Sequence, residues 1–364
     1  ARASARGRGG AAAAGPAAAS GAVGGARGAA VRWAAGVAAR AAGEGVDVSV
    51  AEVNPVTGEE VKVGAGVQRK EISAGGFRWS YLEAGSGGSP AVLLLHGALC
   101  SGQSYREAAS GLAEKGYRCI APDWLGHGSS EVPSPTNFAF DEAAYVRALD
   151  AFVKAVDVGS DYILVTQGFV LSQYGLKYAL QHEADIKNLV ILSTPLGSAS
   201  ALPGPLGQLD NPFLKMLAQR RPVDVGAFTL SGGPYTIRAS DVEAYQAPFE
   251  TEAGREALHA MMDACDFKRL LEEISDGFCS WKTDSCVAWG DTDRYLDLDT
   301  AISWQEDKRT SITTHLFKKS CGHYPQTDYP ELVVELVDKV NRGEELNETA
   351  KGKKRVGDAN SAGA

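Results

Sequence analysis

The sequence predicts an α/β fold: a doubly wound, mostly parallel sheet that carries an inserted helical cap. Short apolar runs recur between turn residues, which is typical of strands buried on both faces of a parallel sheet. Segments of helical period separate most of these runs, as right-handed crossover connections require. Across 195–283 the alternation stops, and the chain is first punctuated by Pro and Gly and then helical. We therefore expect a cap between two halves of one sheet.

The segment 77–84 alternates in polarity, and 91–95 is a continuous apolar run. The full set of predicted strands is 77–84, 91–95, 117–121, 162–165, 187–194, 285–289 and 312–317. Helical periodicity is found at 104–115, 138–156, 169–181, 257–262, 267–274 and 331–340. The segment 46–76 has short alternating pieces around Asn54-Pro55 and Thr57-Gly58, and it predicts a peripheral extension or a first hairpin.

Domain boundaries follow from these elements. An N-terminal extension, 45–76, precedes the first half of the core, 77–194. The cap occupies 195–283, and the second half of the core spans 284–341. Residues 342–364 are polar and basic, and they predict a disordered tail.

The N-terminal segment, 1–44, consists almost entirely of Ala, Gly and Arg, with six arginines and one acid, Glu44. This composition cannot bury a core, so we expect disorder. An acid-poor, Arg-bearing N-terminus is typical of an organelle transit peptide, and the Ala bias resembles algal transit peptides. We therefore predict localisation to the chloroplast. The alternative is an unstructured tail without a targeting role.

Charge and cysteine usage narrow the possible partners. The chain has 36 basic and 45 acidic residues, and the basic N-terminus makes the remainder more acidic still. Such a body repels phosphate backbones, which argues against a nucleic-acid partner.

No window approaches ~18–20 consecutive apolar residues, so we expect no membrane span. The six cysteines have no metal-type spacing and predict reduced thiols, although Cys286 and Cys321 could form a redox pair.

Four motifs lie at the carboxyl ends of predicted strands. They contain His96-Gly97, Gly168, Asp293 and His323. In an open α/β sheet, ligands bind at the carboxyl ends of the strands. The motifs LLLHG, APDWLGHGSS, AWGDTDRYLD and CGHYPQTDYPE closely resemble those of the α/β-hydrolase superfamily, over roughly residues 77–341. The cap segment GGPYTIRASDVEAYQAPF is similar to the dehalogenase, epoxide-hydrolase and chlorophyll-dephytylase branch. The turn Val165-Thr166-Gln167-Gly168 resembles the VxQG turn of plastid α/β-hydrolase-like proteins.

The resemblance implies a role for each motif. His323 would be the general base, and Asp293 would orient its imidazole and stabilise the charged form. The backbone N–H groups of Ala98 and Phe169 would form an oxyanion hole. Substrate contacts would come from three side chains, His96, Tyr235 and Tyr245. Neither a metal cluster nor a phosphate loop or dinucleotide fingerprint is present in the sequence, so we predict no metal and no cofactor.

The departure from the family pattern is Gly168, which occupies the nucleophile position. Glycine has no oxygen, sulfur or carboxylate, so it forms no covalent intermediate, although it tolerates the strained turn. Ser172 and Thr166 are weak substitutes because the first lies a helical turn away and the second lies within the strand. Cys100 could be nucleophilic if its pKa were lowered. Water held by His323 is the best catalytic rescue.

Other polar residues have a structural and a functional interpretation. Asp123 and His127 are interpreted as turn-forming and rim residues rather than site residues. The tyrosines of the cap could contact a ligand or could simply pack the cap on the core.

Three functions are compatible with these residues. The first is binding of a small apolar, ester-like or isoprenoid ligand in a hydrolase pocket that lacks covalent catalysis. The second is hydrolysis of an ester, epoxide or carbon–halogen bond by water that Asp293 and His323 activate. The third is a structural role in a plastid membrane assembly, with peripheral thylakoid contact through the cap or the tail.

Overall fold

The computed structural model of the protein describes residues 45–53, 60–87, 90–210, 223–235, 237–296, 302–305 and 311–346. Residues 1–44 lie outside the described residues, as does most of the predicted tail, 347–364. The transit peptide, the chloroplast localisation and the disordered tail therefore stay predictions.

The strands are β1 Val46–Asp47, β2 Val50–Val53, β3 Glu60–Val63, β4 Val67–Ala74, β5 Phe77–Ala84, β6 Ala91–Leu95, β7 Arg118–Pro122, β8 Tyr162–Gln167, β9 Ile186–Leu192, β10 Ser285–Gly290 and β11 Ile312–Phe317. Within the described ranges one sheet has the order β1-β4-β5-β7-β6-β8-β9-β10-β11. The strands from β7 to β11 in that order run parallel, and β1, β4 and β5 are antiparallel to their neighbours. The hairpin expected within 46–76 is formed by β2 and β3.

The central strands are parallel because their apolar sequences suit burial on both faces. Every residue of β6, β8 and β10 is buried. Leu93 of β6 lies opposite Ile120 on one side and Leu164 on the other, so three aliphatic side chains meet in register. This arrangement, with its flanking helices, confirms the predicted fold class.

The helices are Arg106–Glu114, Glu142–Ala155, Leu171–Gln181, Gly204–Asp210, Val225–Ser231, Ala239–Glu250, Glu252–Ala264, Phe267–Phe278, Pro325–Asp328 and Pro330–Arg342. Three begin later than periodicity alone predicts, and local chemistry explains two of them. The Asp141 carboxylate accepts a hydrogen bond from the Ala144 N–H and caps the helix Glu142–Ala155. The helix after β8 begins at Leu171 because Gly168 and Val170 both have positive φ.

Helices cover both faces of the sheet, and a hydrophobic cluster lies on each face. One cluster contains Phe152 and Leu171, and the other contains Leu112 and Val333. The helices between β9 and β10 pack onto the first cluster through residues such as Leu271. This helical segment corresponds to the predicted cap, and its exact boundaries stay a prediction.

Buried charges connect the cap to the core. Asp241, in the cap helix Ala239–Glu250, pairs with Arg106 at 3.2 Å, and both side chains are almost fully buried. Asp241 also accepts a hydrogen bond from Gln103 at 2.8 Å. Arg238 lies 3.6 Å from the same carboxylate and pairs with Glu107 at 2.6 Å. Since buried charges are costly unless they are paired, this network holds the cap helix in one position.

Candidate functional site

The candidate site lies at the carboxyl edge of the parallel strands. Strand β6 ends just before His96, and its neighbour β8 ends just before Gly168. Strands β10 and β11 also pair in parallel, and they lead to Asp293 and His323. The topology therefore carries all four motifs to one edge of the sheet, where α/β proteins bind ligands.

Asp293 and His323 form a hydrogen-bonded pair, as expected from their positions. The His323 Nδ1 lies 3.0 Å from the Asp293 Oδ2, and each side chain is 1% exposed. The other carboxylate oxygen, Oδ1, accepts hydrogen bonds from the N–H groups of Tyr295 at 2.8 Å and Leu296 at 3.2 Å. The loop after β10 thus fixes the carboxylate, and the carboxylate fixes the imidazole ring.

Aromatic rings surround His323. The Phe169 ring is stacked on the imidazole, with centroids 5.0 Å apart and 25° between the planes. Tyr295 and Tyr324 each present an edge-to-face contact with centroids 5.1 Å away. Gly232 of the cap accepts a hydrogen bond from the His323 N–H at 3.0 Å. The surroundings of the imidazole are therefore mainly apolar.

The turn after β8 packs backbone against backbone on the His96-Gly97 turn. Gly168 has φ of +99°, and a Cβ placed on it would lie 3.1 Å from the Gly97 Cα. A Cβ placed on Gly97 would lie 2.7 Å from the Phe169 nitrogen. Both positions therefore favour glycine. At Gly97 a side chain lacks space, and at Gly168 it lacks space and is also disfavoured by the positive φ.

Val170 is the second residue of this turn with a positive φ. It has φ of 61° and ψ of −71°, and the Leu171 N–H donates to the Phe169 carbonyl at 2.8 Å. These angles and this bond define a γ-turn of the rare, strained form. A β-branched residue with positive φ is uncommon, so surrounding contacts must hold it there.

The predicted oxyanion hole is not open in this structure. The Ala98 N–H donates a hydrogen bond to the Phe169 carbonyl at 2.9 Å. This donor is therefore already occupied by the chain itself, which corrects the expectation that it faces a ligand. The reason is the γ-turn at Val170, which directs the Phe169 carbonyl toward Ala98.

Gln167 and Gln326 form a connection that the sequence reasoning missed. The Gln167 Nε2 donates to the His323 carbonyl at 2.9 Å, and its Oε1 accepts from the Gln326 Nε2 at 3.1 Å. Both side chains are fully buried. The available signal was a glutamine at the end of a largely apolar strand, since a buried amide requires partners.

The remaining substrate-binding candidates have other environments. His96 is fully bonded, because its Nε2 accepts from the Trp124 N–H at 3.1 Å and its Nδ1 lies 2.7 Å from the Gly97 carbonyl. Burial lowers the pKa of His96 to about 4, so the ring is neutral and structural. Tyr235 is at the surface, where its hydroxyl contacts the Tyr329 hydroxyl. The structure does not bring either residue to the pair formed by Asp293 and His323.

Tyr245 and Cys100 lie buried between the cap and the core. Burial raises the pKa of Tyr245 well above its ordinary value, and Cys100 and Asp241 add to the increase. Burial also raises the pKa of Cys100 to about 12, so this thiol is a poor nucleophile near neutral pH. Of these two residues, Tyr245 remains compatible with a ligand contact through its position in the cap.

The other polar residues considered above have structural roles. The Asp123 carboxylate accepts from the N–H groups of Gly102 at 2.8 Å and Ser129 at 2.9 Å, which shapes the turn after β7. The Ser172 hydroxyl donates to the Gly168 carbonyl at 2.5 Å. Thr166 is wholly buried within β8. None of these residues supplies a nucleophile at the tip of the turn.

In the part of the chain that the structure describes, no group of three or more His, Cys, Asp and Glu side chains could hold a metal ion. No helix among the described residues is both long and apolar enough to cross a membrane. Cys286 and Cys321 are both buried free thiols.

Comparison with known proteins relates the chain to enzymes that act on small molecules. Over 282 residues it is 25% identical to a cis-3-alkyl-4-alkyloxetan-2-one decarboxylase of Shewanella oneidensis, with 73% of this chain and 86% of that enzyme covered. A shorter match, 42% identical over 100 residues, relates it to a haloalkane dehalogenase of Mesorhizobium japonicum and covers 28% of this chain and 30% of that enzyme.

Solved structures share the fold at lower identity. The haloalkane dehalogenase DbeA from Bradyrhizobium elkani superposes with a TM-score of 0.64 and 18% identity, with 76% of this chain and all of that chain covered. The haloalkane dehalogenase DatA from Agrobacterium tumefaciens gives a TM-score of 0.62 at 20% identity, and the match covers 77% of this chain and 97% of that one. A family model described as the alpha/beta hydrolase family matches residues 92–336. The chain therefore belongs to the α/β-hydrolase family.

Proposed function

We propose that this protein binds a small apolar ligand in a hydrolase-type site and does not hydrolyse it through a covalent intermediate. The observation that carries the proposal is Gly168 at the tip of the turn after β8. A covalent mechanism requires a nucleophilic side chain at this point, and glycine provides none. Gly168 adopts the positive φ that this turn requires, but it supplies no reactive side chain.

Two further contacts support the absence of covalent catalysis. The Ala98 N–H is engaged by the Phe169 carbonyl, so it does not stabilise a developing oxyanion in this conformation. The Phe169 ring covers one face of the His323 imidazole. A general base needs access to the proton that it removes, and the burial of the His323 side chain, which is 1% exposed, restricts that access.

The ligand class is inferred from the surroundings of His323. The rings of Phe169, Phe228, Tyr295 and Tyr324 form a continuous set of aromatic contacts around the imidazole. Aromatic side chains favour apolar partners, and the tyrosine hydroxyls add polar contact points. The names of the related enzymes specify alkyl-substituted oxetanones and haloalkanes, which are small and largely apolar.

The proposal is tested by measuring binding and turnover on one preparation. We expect dodecanol or methyl dodecanoate to raise the melting temperature. We expect p-nitrophenyl butyrate, styrene oxide and 1-bromobutane to be consumed no faster than by the His323→Ala variant. Turnover in the wild type that disappears in His323→Ala would refute the noncatalytic role. If none of the apolar ligands raised the melting temperature, the binding role would be refuted.

A second candidate is hydrolysis by water that His323 activates, and it is favoured by the pair that Asp293 and His323 form. The 3.0 Å hydrogen bond and the two N–H groups on Asp293 are what a general base requires for its orientation. This mechanism predicts slow ester hydrolysis without a burst of p-nitrophenol, because no acyl-enzyme accumulates. Asp293→Asn and His323→Ala should each abolish the activity. Activity that survived His323→Ala would exclude this candidate.

A further inference from the structure

A hollow of about 320 Å³, which we call the β11 hollow, lies between β11 and the helix Pro330–Arg342. His315 and Phe317 line it from β11, since alternate side chains of a strand point to the same face. Leu332 and Leu336 line it from the helix, since residues four positions apart share one helical face. None of the described residues that line it belongs to the candidate site. The β11 hollow is therefore a separate cavity, and its volume lies in the range of small-molecule sites.

The floor of the β11 hollow is apolar. Phe317 and Leu336 are each 2% exposed, and both belong to the hydrophobic cluster on this face of the sheet. Leu332 and Leu346 pack against the same cluster and are half-buried. The His315 ring meets the Phe317 ring edge to face, with centroids 5.0 Å apart. An alkyl group in the hollow would remove the half-buried apolar surface from water, which favours binding.

The rim of the β11 hollow is positively charged. Lys318 and Lys319 follow β11, and Lys339 lies on the facing helix, against one acid, Glu335. Lys339 pairs with Glu335 at 2.7 Å, and an ammonium group has three donors, so it can bind a second acceptor. The Lys319 Nζ lies 5.9 Å from the centroid of the Tyr329 ring. This local excess of cations contrasts with the whole chain, which has 45 acidic and 36 basic residues.

Two other hollows beside the same helix have the opposite charge. Three acids, Asp284, Glu344 and Glu345, line the first, and no base is found among its described lining residues. The second is lined by six acids and three bases. An anion that approaches this side of the protein is therefore repelled by the two acidic hollows and attracted by the lysines of the β11 hollow.

We propose that the β11 hollow binds a small amphipathic anion, an alkyl chain that ends in a phosphate or carboxylate group. The anionic head would lie between Lys319 and Lys339, and the alkyl chain would cover Leu332 and Leu346. The two parts act together, because contacts between exposed charges are weak in water and the apolar floor alone does not select an anion. This site is independent of the one proposed around His323.

Lysine acetylation, followed by mass spectrometry, tests the site on the full chain. Octyl phosphate, kept below its critical micelle concentration, should slow the acetylation of Lys319 and Lys339 severalfold and leave Lys268 unchanged. Octanol and inorganic phosphate should each protect far less, because the first lacks the charge and the second lacks the alkyl chain. Equal protection by inorganic phosphate would overturn the amphipathic ligand. Equal protection of Lys268 would overturn the site.

A matched pair of variants tests the role of the charge. Lys339→Gln and Lys268→Gln each remove a lysine that pairs with a glutamate four residues away on a helix, and of the two lysines Lys339 lines the β11 hollow. We expect Lys339→Gln to weaken octyl phosphate binding about three- to tenfold and Lys268→Gln to leave it unchanged. Isothermal titration calorimetry measures both affinities. Equal affinities in the two variants would overturn the proposal.

A membrane surface is the alternative source of the same head group. Phosphatidylglycerol vesicles present a phosphate on such a surface. Protection of Lys319 and Lys339 by vesicles, without protection by free octyl phosphate, would overturn the small ligand and assign these lysines to a lipid surface. Methyl dodecanoate, the probe for the site around His323, should leave the acetylation of both lysines unchanged. Protection by this uncharged ester would overturn the requirement for an anion.

Discussion

The ring of Phe169 lies nearly parallel to the imidazole of His323, with 25° between the planes and 5.0 Å between the centroids. Phe169 comes directly after Gly168, so the turn whose tip has no nucleophilic side chain also supplies the ring that covers one face of the His323 imidazole. The ring edge of His323 is held by Asp293, whose carboxylate lies 3.0 Å from the Nδ1. The imidazole is thus well oriented and poorly accessible. Its orientation favours the catalytic interpretation of the site, whereas its poor accessibility favours the noncatalytic one.

Shortening Phe169 should expose His323. We expect Phe169→Leu to lower the free energy of unfolding by about 1–2 kcal/mol through lost packing. The His323 peptide should also react faster with diethyl pyrocarbonate, as measured by mass spectrometry. Phe228→Leu is the matched control, because Phe228 stacks on Tyr295 and does not stack on His323. Equal modification rates in the two variants would show that Phe169 does not shield the imidazole.

Adding a side chain at Gly168 should destabilise the fold, whether or not the new side chain is reactive. We expect Gly168→Ala and Gly168→Ser each to lose about 1–2 kcal/mol, because φ is positive and the new Cβ would lie 3.1 Å from the Gly97 Cα. Chemical denaturation measures this loss. Esterase activity should appear in Gly168→Ser alone, since Ala supplies no nucleophile. A Gly168→Ala variant as stable as the wild type would show that the turn is not strained for other residues.

The sequence predicts much of this site because its determinants are local. Strands such as β6 and β8 are short, mainly apolar runs between turn residues, and Asp293 and His323 follow two further predicted strands. Parallel pairing then brings these strand ends to one edge. Residue identity was also enough to establish that Gly168 lacks a nucleophile.

Other features depend on relations that residue identity does not encode. The Ala98 N–H is occupied because the Phe169 carbonyl is directed toward it by a γ-turn at Val170, and no residue pattern predicts a positive φ for a valine. The partner of Gln167 lies 159 residues away in Gln326, so no local pattern pairs them. Tyr235 lies at the surface because the cap positions it beside Tyr329. The sequence motif alone does not predict this packing.

Replacing Gln167 should loosen the link between the turn and the His323 loop. Gln167→Leu leaves the His323 carbonyl and the Gln326 amide without this buried partner, so we expect a loss of about 2–3 kcal/mol. Gln167→Glu keeps an acceptor for Gln326 but loses the donor to His323. Urea denaturation compares the two variants with the wild type. A loss below about 0.5 kcal/mol in Gln167→Leu would contradict the structural role of the link.

Removing the buried charge of Asp241 should detach the cap from the core. Asp241→Asn leaves Arg106 with an uncompensated buried charge, so we expect a loss of about 3–5 kcal/mol. Protease cleavage within the cap should become faster. Lys268→Ala is the control, because its partner Glu272 is also largely exposed, and such a pair contributes about 0–1 kcal/mol. Similar losses in the two variants would contradict a special role for Asp241.

Asp328 should make stability fall as the pH rises toward neutral. Burial raises its pKa from 3.8 to about 6 and the Asp293 charge adds to this, while the Gly322 N–H and His323 oppose it. A neutral Asp328 is therefore favoured in the folded state. The contribution of this proton to the free energy of unfolding is fully present below about pH 3.8 and is lost as the pH rises through about 6.

Asp328→Asn keeps an oxygen for the Gly322 N–H, whose bond to the wild-type carboxylate is 2.7 Å, and it removes the titration. We expect the variant to exceed the wild type in stability by about 1–2 kcal/mol at pH 7.5, after allowance for solvent screening, and to match it near pH 4. Both proteins contain the buried His96 and His127, whose pKa values burial lowers to about 4 and about 3, so the difference between the two curves isolates Asp328. Thermal unfolding between pH 4 and 8 supplies the comparison. Parallel curves for the two proteins would mean that Asp328 ionises in the folded state as readily as in the unfolded chain.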